Sequence, residues 1–460
     1  MKRQRIGHYL ALASTFFIVG GFGPAVAQED APGGTTLTFG IESGLSVSDN
    51  YNLAVAAPGT STILDTTLSF GYLSETATDR FAFDIDGVLR VADIPGPSSG
   101  GGTRFDDINA ALSYAREGAN SRFSATANYS SIDLDFLDPF SLTEISDVDL
   151  TNSGGTRNSR TARIIFEAGI NDPLGFGFEL GHEAFTYSNT TDPGLFDSKT
   201  DDYALTSRLR LSPVVEARMR LSQEDYSADD LILTDRTTSA LSFGVAYEVS
   251  AVTTLDTHIG VEKIETAGAG TDRGSFGSVS LTQAMANGSA GLVLDRSFGI
   301  EGGRTTITAS RDLALPSGTL AFSFGATRGE QSGTEVIGSL DYSHTLPRGT
   351  LTASLNRSVD SSTTGNDILT TNAALGYSLA LSPVSNLSFD FDYAEIENDG
   401  TGTTSNTNRK SLRAEYTRTL TQDWDLSAGY EHQRLITEGT GTADSNTIFL
   451  TLGREFSIRR

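Results

Sequence analysis

The chain has 460 residues, no cysteine, 48 glycines and a formal charge of −25 at pH 7. The absence of cysteine excludes disulfide staples and a lipid-attachment thiol, and the acidity disfavours nucleic acid or an anionic surface as a partner. Beyond the N-terminus no apolar run reaches the ~18 residues a membrane helix needs, which leaves open a barrel, whose strands meet lipid only at every second residue.

Lys2, Arg3 and Arg5 open the chain, residues 9–22 are mostly apolar, and Ala25-Val26-Ala27 follow. A basic start, a short apolar stretch and small residues at a cut site read as a cleaved secretory signal over 1–27. Residues 28–34 read as a short periplasmic leader and 35–460 as one barrel. So short a leader gives no room for a plug domain ahead of the first strand.

The first strand zone is 37–47, followed by a loop over 48–60. The second strand puts Leu64, Leu68, Phe70 and Tyr72 on one face and Asp65, Thr67, Ser69 and Gly71 on the other. The third opposes Phe81, Phe83, Ile85, Leu89 and Val91 to Ala82, Asp84, Asp86 and Arg90. Successive strand side chains point to opposite faces, so each strand has one apolar and one small or polar side. The fourth carries Ile108, Ala110, Leu112 and Tyr114 outward, and the fifth Phe123, Ala125, Ala127 and Tyr129.

The same alternation continues to the end of the chain. Ten short turns alternate with eleven longer connections rich in Gly, Ser, Thr, Asp and Asn. Proline cannot donate to a strand ladder, and none of the twelve lies within a proposed strand; Pro173, Pro213, Pro316, Pro347 and Pro383 sit in short turns. Leu-Pro-Ser-Gly-Thr-Leu at 315–320 nearly repeats at 346–351, and Leu-Ser-Pro-Val occurs at 211–214 and 381–384. These read as recurrent hairpin chemistry. The hairpin 372–393 shows the pattern most clearly, with Leu375, Tyr377, Leu387, Phe389 and Phe391 on the apolar side.

Backbone in hydrocarbon must be paired internally, and a closed sheet does so without edges. The expected fold is therefore all-β: a transmembrane antiparallel up-and-down β-barrel of about 22 strands, with short periplasmic turns, longer extracellular loops and no plug domain. Tyr72, Tyr114, Tyr247 and Tyr377 lie toward strand ends as an interfacial girdle would. The expected location is the bacterial outer membrane.

Four histidines follow the signal. His258 faces the lumen, while His182, His344 and His432 share the lipid-directed face near the rims. No pair has metal-ligand spacing, no nucleophile–base arrangement is readable, and neither enzyme activity nor a cofactor is expected. The lumen charges are more informative. Arg208 and Arg210, then Arg218 and Arg220, share the inward face across one turn, with Glu179, Glu183, Glu216 and Glu248 nearby. Far along the chain Asp390 and Asp392 point inward beside Arg413 and Glu415. Such charges either select permeating solutes or pair across strands and stiffen the wall. The longest loop, 133–156, interleaves acidic residues with Leu134, Phe136, Leu137, Phe140 and Leu142. It reads as a solvated external loop, with constriction of the mouth or cation binding as alternatives.

With Ser48-Asp49-Asn50-Tyr51-Asn52-Leu53 after the first strand, the chain resembles the β-barrel porin 2 family and outer-membrane barrels associated with exopolysaccharide loci. The resemblance implies an outer-membrane barrel with a transport role and supplies no catalytic residues. The function expected of such a barrel is a porin-like passive channel for small hydrophilic solutes. Its alternative is an accessory barrel in exopolysaccharide export or surface attachment. Expected partners are outer-membrane lipid and lipopolysaccharide, small hydrophilic solutes or polysaccharide, and the barrel assembly machinery. The last strand, with Ile448, Leu450, Leu452 and Phe456, departs from an aromatic ending, since Ser457-Ile458-Arg459-Arg460 follow. Phe456 is the residue expected to serve as the assembly signal.

Overall fold

A computed structural model describes residues 33–95, 102–137, 154–190, 192, 194–230, 234–330, 333–361, 367–399 and 406–459. The signal expected over 1–27 and much of the 133–156 loop lie outside the described residues.

The strands are β1 (Gly34–Ser48), β2 (Ser61–Glu75), β3 (Asp79–Asp93), β4 (Gly102–Glu117), β5 (Ser121–Asp133), β6 (Thr156–Ala168) and β7 (Leu174–Ser188). There follow β8 (Ser198–Ser212), β9 (Val215–Ala228), β10 (Arg236–Ser250), β11 (Thr253–Thr266), β12 (Gly270–Met285), β13 (Gly288–Gly299), β14 (Gly302–Leu315) and β15 (Gly318–Gly329). The last are β16 (Thr334–Leu346), β17 (Gly349–Ser361), β18 (Asp367–Ser382), β19 (Ser385–Asp399), β20 (Thr407–Thr419), β21 (Trp424–Thr437) and β22 (Gly441–Arg459). Every strand pairs antiparallel with its neighbours in sequence, and β1 pairs with β22, from Thr36↔Arg459 to Ser48↔Thr447. The ring is closed, and the strand number and meander are those the alternation predicts.

Strand lengths of 12 to 19 residues exceed the ~9–11 a tilted strand needs to cross hydrocarbon. The ends therefore project into the aqueous phases. Outward residues are large, apolar and open to the surroundings, Phe324 and Ile448 among the most exposed at 67 % each. Water would not tolerate so wide an apolar band; lipid does. Ring pairs such as the edge-on Tyr72–Phe81 and the tilted Tyr114–Phe123 sit beside the short turns.

The recurrent turns have local causes. At 316–317 and 347–348 two residues reverse the chain, and the next strand begins with Gly318 or Gly349. A Cβ on Gly318 would collide with the carbonyl oxygen of Ser343, and one on Gly349 with that of Ser378. In the Leu-Ser-Pro-Val turns the serine hydroxyl accepts from the backbone ahead: Val214 N and Val215 N donate to Ser212 Oγ, and Val384 N donates to Ser382 Oγ at 3.3 Å.

Two clusters of buried apolar side chains lie inside the barrel at its long-loop end. Leu53, Leu435 and Ala443 form one cluster with Ile396 against it. Ile63, Ala92 and Ile94 form another, covered by Tyr51 and Phe136.

Candidate functional site

The inner wall carries short polar side chains and charges. Glu179 on β7 pairs with Arg163 on β6 and accepts from Arg220 Nη2 on β9 at 3.1 Å. Arg218 pairs with Glu216 at 2.9 Å and with Asp256 on β11 at 2.8 Å. Arg208 turns toward the short-turn rim and donates to the carbonyls of Gly169 and Ile170 at 2.8 and 3.0 Å. Arg210 stands opposite Glu216 in the ladder, and Glu183 opposite Thr161 and Thr200. His258 bonds Ser278 Oγ at 2.9 Å within the lumen, while His182 Nδ1 meets Asp201 Oδ1 at 2.7 Å on the outer face.

The second predicted group lies on β19 and β20. Arg413 stands directly opposite Asp390, but its guanidinium donates to Glu415 at 2.7 Å and lies 4.2 Å from the Phe449 ring centre. Asp392 stands opposite Ser411 and Ala374. In a ring of 22, β19 is eleven strands from β8, so closure puts the two charged groups on facing walls. The arginines of the first group are nevertheless held locally and do not reach across the lumen. Their partners are carboxylates on the same or nearby strands, where cross-strand distances are short. Arg163 belongs to the group and was missed; its inward position on β6 was the available signal.

The mouth at the long-loop end is more tightly built. Arg90, 5 % exposed, pairs with Asp65 and Asp107 at 2.8 Å each, and its guanidinium lies 3.8 Å from the Phe136 ring centre. Asp107 has a positive φ of 51°, and the β3–β4 register shifts beside it, between Asp86 and Val88. This bulge resets the alternation, so Arg104 faces the lumen and pairs with Asp133 at 2.6 Å. Asp107 Oδ1 accepts from Asp133 N at 2.9 Å, and Asp133 Oδ1 from Asp135 N at 3.0 Å. The chain leaving β5 is thereby drawn into the barrel through the short 3-10 turn Leu134–Phe136. Burial and the nearby Asp133 charge push the Asp135 carboxyl above the usual range. At its start the longest loop therefore packs at the mouth, with Leu134 buried and Phe136 against Arg90, and does not stand free in solvent there; residues 138–153 lie outside the described part.

Across the seam, the Asp-Asn element joins the first strand to the last. Asn446 donates its backbone and side-chain N–H to the two Asp49 oxygens at 2.7 Å each. These bonds hold the Asp49 carboxyl below the usual range. Asn50, 3 % exposed, donates to the carbonyls of Asp444 and Ala54 at 2.8 Å.

Among the described residues no group of three acidic or histidine side chains is placed to hold a metal ion. No family model matches the chain, and no curated protein does. The specific likeness to the β-barrel porin 2 family thus gains no support. Solved structures do resemble the fold. A mutant ferric enterobactin receptor from Pseudomonas aeruginosa in complex with enterobactin aligns with TM-score 0.57 and 11 % identity, over 93 % of this chain and 82 % of that one. The ferric-catecholate import receptor Fiu from Escherichia coli gives 0.56 and 10 %, over 91 % and 81 %. The FrpB iron transporter from Neisseria meningitidis gives 0.57 and 8 %, over 93 % and 82 %. At such identities the likeness is one of fold. With the closed ladder and apolar outer band, it places the protein in the bacterial outer membrane as a 22-strand barrel.

Proposed function

We propose that the protein is a passive, porin-like channel for small hydrophilic solutes, with its narrowest passage at the Arg90–Phe136 mouth. The observation that carries this reading is the inner wall. A 22-strand ring encloses more width than side chains fill, and here the wall carries Ser, Thr, Gly, Asn and paired charges, which suit water. Charges along a wet passage set which solutes enter. The experiment is planar-bilayer recording of the purified protein in potassium chloride. Stable open steps are expected.

A second reading is favoured by the iron-transport receptors that share the fold: uptake of a bulky ferric chelate, with the passage closed until ligand binds. A silent bilayer together with saturable binding of a ferric catecholate would select it.

A further inference from the structure

The outer wall has a hollow of about 970 Å³ across β7 to β12, on the side facing lipid. Two rows of the ladder line it. In the first, Phe178, Leu205, Leu221, Leu241 and Val261 lie side by side on five successive strands. In the second, two residues nearer the long-loop end, Tyr203, Gln223, Ser239, Lys263 and Arg273 follow one another. The first row is apolar throughout. The second is polar and ends in two cations directly opposite each other, three residues from the β11–β12 turn. Ser239 and Ser275, small beside their neighbours, are part of the lining, and the hollow is shallow and open to the lipid side.

We propose that this hollow binds one phosphorylated glycolipid of the outer leaflet. Its acyl chains lie along the apolar row and its phosphate meets Lys263 and Arg273. The step from apolar to basic within two residues marks the boundary between hydrocarbon and headgroups, where aromatic and cationic side chains anchor a barrel. An anionic headgroup is the complementary occupant, because two opposed cations at the rim of an apolar hollow attract phosphate and repel a cationic lipid. Lys263 already holds Glu265 at 2.7 Å, so the phosphate completes a local cluster in which Arg273 supplies the second cation. The next row holds Glu265, the partner of Lys263, and two further acids that have partners of their own. Asp201 meets His182 and Lys199, and Asp225 accepts from Gln223 and Thr237. The site lies outside the lumen and does not depend on whether the lumen conducts.

The test is titration of the detergent-folded full chain with bisphosphorylated lipid A, its dephosphorylated form and inorganic phosphate, read by native mass spectrometry. One bisphosphorylated lipid per chain is expected. The double substitution Lys263→Gln with Arg273→Gln should weaken it roughly thirty-fold, from two cations near a membrane surface. Heat-modifiable gel mobility verifies that the variant is folded, and Leu241→Ala, which keeps both cations, should weaken both lipid forms alike. Equal affinity for the two lipid forms, an unchanged double variant, or competition by inorganic phosphate alone would each overturn the assignment.

Discussion

The Arg90 guanidinium lies 3.8 Å from the centre of the Phe136 ring while it ion-pairs with Asp65 and Asp107. This one contact ties the chain leaving β5 to the opposite side of a hairpin. Phe136→Ala removes the ring without touching the ion pairs, so single-channel conductance should rise with little loss of stability. Unchanged conductance would remove the mouth from the permeation path. Arg90→Ala should raise conductance too, at about 2 kcal/mol in urea unfolding. That is below the ~3–5 of a fully buried pair, because Asp65 is over a third exposed.

Asn446 and Asp49 close the seam between the last and first strands. Asp49 titrates lower in the fold than in the unfolded chain, where an aspartate sits near ~4. Its contribution is therefore complete above that pH and is lost as pH falls through the depressed folded value. Asp49→Asn should flatten the acid limb of the unfolding profile, measured by tryptophan fluorescence in detergent. Asn50→Ala, which leaves the Asp444 and Ala54 carbonyls without their donor, should cost about 1–3 kcal/mol at any pH.

Glu179 holds two arginines, so Glu179→Gln frees positive charge on the β6–β9 wall. Reversal potentials in a salt gradient should move toward anion selectivity. Asp390→Asn with Asp392→Asn should move them the same way from the facing wall. A reversal potential fixed in both variants would mean that these charges only stiffen the barrel.

Gly318 and Gly349 begin strands where a Cβ would strike a neighbouring carbonyl. Gly318→Ala and Gly349→Ala should each cost about 1–3 kcal/mol, seen as a lower midpoint in urea. Ser317→Ala, in the same turn with no such clash, is the control.

Leu375 faces outward at mid-strand, and Ala374 beside it faces the lumen. Leu375→Arg should destabilise the barrel by about 2–4 kcal/mol, the cost of a cation at the lipid midplane. Ala374→Arg should cost far less. Equal costs would mean that the two faces are exchanged.

Much of this architecture is written locally. Alternation along 372–393 assigns Leu375 and Phe389 to lipid and Asp390 and Asp392 to the lumen, because side-chain direction on a strand depends only on the pleat. Proline placement and the Leu-Pro-x-Gly-Thr-Leu turns mark the reversals, because each is decided within a few residues. The strand number and the antiparallel meander follow from those. Tertiary structure decided what depends on partners far away in sequence. The bulge at Asp107 turned Arg104 inward, which a strict period of two does not foresee. The pairing of Arg163 with Glu179, the withdrawal of Arg413 toward Glu415, and the capture of Phe136 by Arg90 all depend on which strands become neighbours and at what register. Joining β1 to β22 set Asp49 against Asn446, 397 residues apart. Pleat direction is a property of one strand, but contact is a property of the closed ring.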